Sequence, residues 1–220
     1  MTDVVITVRG EHEARIPAEL GIANVSARVD GPDRAEVVAS ATRLAAQLRE
    51  EIAGAAATGA VSEHSSERLS VWSNRPWSDK GKQQPLVHNA VISTRSEWTD
   101  FSALSEWIGS VSEREGITVD GVSWRLSEAT DKEQEAAVAQ HAVAVAVARA
   151  QAYADALGLG TVQALEVADA GLLGDTKGGS SDEMPRMAMM AGGHGGNDSL
   201  ALEPQPIRVS ATVEARFRAS

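Results

Sequence analysis

The chain has 220 residues and no cysteine, which excludes disulfides, thiolate metal sites and a cysteine nucleophile. Its 31 acidic residues outnumber its 20 basic ones, for a formal charge of −11, so no nucleic-acid partner is expected. Apolar residues make up 43%, as in ordinary folded chains, but no run of about 18 of them exists to form a membrane span.

The N-terminal segment has an acid at position 3, and its apolar run breaks at Thr7. A secretory signal needs a basic start and a longer apolar stretch, so the expectation is a first strand in a cytoplasmic protein. Val4, Ile6 and Val8 alternate with Val5, Thr7 and Arg9, the period of a strand. Residues 18–30 change phase between Ile22 and Val25, which predicts a bulged second strand paired with the first as a hairpin. Asp33 caps a helix whose apolar stripe is Val37, Ala41, Leu44, Ala45, Leu48 and Ile52. Gly59 closes it.

Residues 61–75 and 84–96 read as two strands of a long hairpin. The segment between them is rich in Pro, Asn, Ser, Asp and Gln, a loop composition. A short helix over 100–115 carries Leu104, Trp107, Ile108 and Val111 on one face. A strand over 117–128 shifts phase at Asp120-Gly121. Residues 131–158 are the most biased stretch, with 11 alanines among the 21 residues from Ala136 to Ala156. Valines at 143, 145 and 147 alternate as in a strand. Alanine is the best helix former, however, and the uninterrupted length exceeds a usual strand, so a helix of about 40 Å is predicted. A strand over 161–169 carries Leu165 and Val167. Residues 171–204 hold many glycines and Met184, Met187, Met189 and Met190, and are expected to be a flexible loop. The last strand is the cleanest. Ile207, Val209, Ala211, Val213, Ala215 and Phe217 face a core; Arg208, Ser210, Thr212, Glu214, Arg216 and Arg218 face water.

The order β-β-α-β-β-α-β-α-β-β, with the strand-strand-helix unit recurring, implies an α+β fold. The expected architecture is a single domain over 1–220, with a mainly antiparallel sheet built from hairpins and helices packed on it. This order resembles the SIMPL domain (DUF541) family. The residues behind the likeness are the strand ending in Gly10, the helix opened by Pro32-Asp33, and Leu69-Ser70-Val71-Trp72 before a proline-containing tip. To these are added Gly121-Val122-Ser123-Trp124-Arg125-Leu126-Ser127, the helix from Ala142 to Ala156 leading into Leu157-Gly158, and the Met-rich loop before Pro204 and a closing strand. The resemblance implies a fold and a tendency to assemble, and carries over no catalytic residue.

No nucleophile elbow, P-loop or metal-ligand spacing is present. His12, His64, His88, His141 and His194 include no pair at helical spacing. His194, within a glycine run, lacks the flanking strand and helix of a dinucleotide fingerprint. Glu50-Glu51 and the Asp131, Glu133, Glu135 group read as helix-end carboxylates. The methionines could bind a soft metal, cover an apolar groove or be unstructured. No catalytic, metal or cofactor site is therefore assigned. Trp72, Arg75 and Trp77, at the projecting hairpin, are the candidate interaction residues. Three readings stay open for Trp77: a subunit or partner contact, packing on its own hairpin, or a small-ligand site. The expected function is a non-enzymatic module that forms a homo-oligomer or binds a protein. The alternative is a small-ligand-binding protein or an enzyme with an unrecognised site.

Overall fold

In the computed structural model the described residues are 3–77, 83–173 and 202–220. Ten elements follow the expected order: β1 (Val4–Ile16), β2 (Leu20–Gly31), α1 (Arg34–Ala57), β3 (Val61–Asn74), β4 (Val87–Trp98), α2 (Phe101–Ser112), β5 (Ile117–Arg125), α3 (Glu128–Ala156), β6 (Gln163–Asp169) and β7 (Ile207–Ala219). The class is α+β with antiparallel sheets. No helix among the described residues is long and apolar enough to cross a membrane. The chain divides into two compact units.

The first unit takes residues up to Ile16, those from Leu126 and those from Pro206. Its sheet has the order β1-β7-β6. β1 and β7 pair without interruption from Val4 opposite Ala219 to Ile16 opposite Ile207. Their alternation puts Ile6, Val8, Val213, Ala215 and Phe217 on one face, where they meet Ala142, Ala146, Ala150 and Ala154 of α3. Those alanines recur every fourth residue and so form one stripe of a helix. The period-two valines fall on other faces, which is why the strand-like alternation is compatible with a helix. Small residues let α3 come close to the sheet, and Gly10 completes the approach. A β-carbon there would run into the Ala142 carbonyl and lie 2.7 Å from the Ala146 nitrogen. Ser127 caps α3, with Glu128 and Asp131 in the first turn.

The second unit contains residues 17–125 and the short described stretch from Leu202. Its sheet has the order β3-β4-β2-β5. Ala23 and Val25 of β2 and Trp98 of β4 pack against Leu48 and Ile52 of α1 and Leu104, Ile108 and Val111 of α2. Asp33 and Asp100 cap these helices by accepting backbone N–H bonds. The phase change predicted in β2 belongs to its neighbour. Asn24 pairs with Gly121 and Val25 with Val119, so Asp120 of β5 is the extra residue. Its carboxylate accepts from Ser26 and Arg28, which fixes the bulge.

One predicted pairing is corrected. β1 and β2 do not form a hairpin: β1 pairs with β7, and β2 lies between β4 and β5. The strand-strand-helix unit therefore does not recur in space. The reason is compositional. β1 has one apolar face and one charged face, matching β7, whereas β2 is buried along most of its length and needs a neighbour on each side. The Met-rich loop and His194 lie outside the described residues.

Candidate functional site

Trp72, Arg75 and Trp77 lie at one end of the β3–β4 hairpin. Val71 packs against Val37 and Ala41 of α1, so Trp72, one residue on, points to the opposite sheet face. It stands across from Asn89 and is 47% exposed. β3 ends at Asn74, and Pro76 supplies no N–H for a further ladder bond. Arg75 folds back and donates to the Gln84 carbonyl at 2.9 Å, which ties the two arms together. Trp77 projects beyond this tie and is 85% exposed. At that exposure it is not packed onto the described part of its own hairpin.

Below the tip is a polar chain that sequence reasoning missed. Ser73 Oγ lies 2.7 Å from His88 Nδ1, directly across the ladder. Arg34, at the start of α1, donates to the same hydroxyl at 3.3 Å, and Asn89 donates to Asn74 at 2.8 Å. A hydroxyl beside an imidazole is half of a nucleophile constellation. Among the described residues no carboxylate hydrogen-bonds His88 to orient it, and Ser73 is exposed. The arrangement fastens the tip end of the hairpin to α1.

Two further clusters come together only in the fold. Glu63, His64, Ser65, Arg95 and Glu97 line a shallow polar pocket of about 300 Å³, with Glu63 opposite Glu97 and Ser62 donating to Glu97 at 2.8 Å. His12 of β1 and His141 of α3 stack with ring centroids 4.6 Å apart, and His141 Nδ1 donates to the Ala137 carbonyl. No three His, Cys, Asp or Glu side chains converge to hold a metal ion among the described residues. Of the helix-end carboxylates considered from sequence, Glu51 accepts from Trp107 Nε1 at 3.1 Å and pairs with Arg114, a structural role.

The outward face of β1, β7 and β6 is a lattice of ion pairs. Arg9 meets Glu214 at 3.0 Å, Arg216 meets Glu166 at 2.9 Å, and Glu13 lies between Arg15 and Arg208. The hydrogen bond from Arg9 is the main reason the Glu214 carboxyl titrates below its ordinary value. Partial burial opposes the shift; N–H bonds from Gly171 and Leu173 and the Arg9 charge reinforce it.

No curated protein matches the chain. The family model described as SIMPL, protein of unknown function (DUF541), matches residues 6–217. That span runs from within β1 to within β7, and so takes in every element of both units. Together with the expected element order, this match establishes that the chain belongs to the SIMPL family.

Proposed function

We propose that the chain is a non-enzymatic interaction module that binds a protein partner, or another copy of itself, through the tip of the β3–β4 hairpin. The observation that carries this reading is Trp77, held beyond the Arg75 tie at 85% exposure. Covering such a ring is worth about 2–3 kcal/mol from apolar area alone. Tryptophan and arginine are the side chains that most often dominate interface energetics, and Trp72 adds a second half-exposed ring beside them. The reading gives no reaction to Ser73 and His88, because a reacting group there would stand in open water. Light scattering of the wild type and of Trp77→Ala, with and without chemical cross-linking, tests it. The wild type is expected to form a species heavier than one chain, weakened by about 2 kcal/mol in Trp77→Ala. A wild type that stays one chain in mass and that, cross-linked in a cell extract, captures no protein that Trp77→Ala fails to capture overturns it.

A further inference from the structure

Among the described residues the two sheets have four edges, and three of them are guarded. β1 presents Arg9, Glu11, Glu13 and Arg15, and Arg149 of α3 donates to the Arg9 carbonyl at 2.8 Å. β3 carries charges and two register shifts, and β5 carries the Asp120 bulge. β6 differs. It has a register shift at Leu165, but Leu165 and Val167 are 43% and 51% exposed, and among the described residues β6 pairs with β7 alone. Among the described residues nothing pairs with its outer edge, whose N–H and C=O groups stand beside apolar side chains. α3 packs on β1 and β7, and the inner face of β6 opens into a groove of about 760 Å³. Ala139 and Val143 of α3, Val167, Asp169, Val213 and the 72% exposed Leu172 line it.

The charges indicate the occupant. On the outward face Arg216 of β7 stands opposite Glu166, so sign alternates across the sheet, and the next position outward favours a cation. A second copy of β6, antiparallel and centred on Glu166, would set two glutamates opposite each other, which is unfavourable. We propose that the edge of β6 receives an extended segment of a protein partner as a fourth strand, apolar at alternate residues toward α3 and basic opposite Glu166. This is β-strand addition, in which backbone bonds supply affinity and alternate side chains supply selectivity. It belongs to the other unit from the β3–β4 hairpin and stands or falls without the proposal made for that tip.

The probe is a fluorescent peptide of about ten residues alternating valine and lysine, titrated into the full chain by anisotropy. Controls are a valine–glutamate peptide and a lysine–valine peptide of the same composition in two blocks. The alternating basic peptide is expected to bind at least about tenfold more tightly than either control. Val167→Lys and Leu172→Lys, both at exposed positions, are each expected to weaken it about tenfold, Glu166→Gln to weaken it several-fold, and Trp77→Ala to leave it unchanged. Circular dichroism establishes that each variant is folded. Absence of binding, or binding indifferent to Val167, Leu172 and Glu166, overturns the proposal. So does concentration-dependent self-association that Val167→Lys abolishes, which would assign the edge to a second copy.

Discussion

Thr94 of β4 is 2% exposed, and its hydroxyl has no hydrogen-bond partner among the described residues. Two residues on, Ser96 is equally buried but accepts the Trp98 indole N–H at 2.8 Å. The same chemistry therefore has opposite consequences at the two positions. Thr94→Val removes a desolvated hydroxyl at nearly constant shape and is expected to raise stability by about 1 kcal/mol, read from the urea midpoint. Glu214 provides a pH test. Its folded-state carboxyl titrates below the ordinary value of 4.5, so it contributes stability that is complete above that value and is lost as pH falls through the folded pKa. Glu214→Gln should be less stable than the wild type at pH 7, and the two urea midpoints should converge in acid. Residues of this kind were only half readable beforehand. The charged parity of β7 announced Glu214 as outward-facing. Its partner Arg9 lies at the other end of the chain, and no local pattern links the two.

At the scale of elements, α3 shows what composition conveys and what it leaves out. Alanine content and length identified the helix against its strand-like valines. Burial of Ala142, Ala146, Ala150 and Ala154 then follows from helical spacing. Gly10 was visible only as the end of a strand, because its purpose is set by a helix distant in sequence. Gly10→Ala should push α3 off β1 and lower stability by about 3 kcal/mol, measured by urea unfolding, since neither the Ala142 carbonyl nor the Ala146 backbone can move aside cheaply. The bulge was detected as a phase change, yet assigned to both strands when Asp120 alone carries it. The hairpin tip was legible for a simple reason: Arg75-Pro76-Trp77 is a local signal. The Ser73–His88 and His12–His141 pairs depend on register and helix docking, and spacing could not disclose them.

For the molecule as a whole, the class and the order of elements followed from periodicity, but the pairing of β1 did not. Adjacent strands usually pair, and that rule misled here because the matching face lay at the far end of the chain. Phe217 tests the arrangement. It is 2% exposed in the core that joins β1, β7 and α3, so Phe217→Ala should cost about 3–5 kcal/mol. Hydrogen exchange should place the lost protection in β1, β7 and α3, with β2 and β4 affected least. The register of Val4 opposite Ala219 also bears on biosynthesis. β1 leaves the ribosome before the other nine described elements, and its hydrogen-bonding partner emerges after the intervening strands and helices. Residues 17–125 are translated in between and already contain the four described strands of the other sheet. A nascent chain thus carries a strand with one unpaired apolar face, Val4, Ile6 and Val8, until the last element is made, and that face is the natural target of a nascent-chain chaperone.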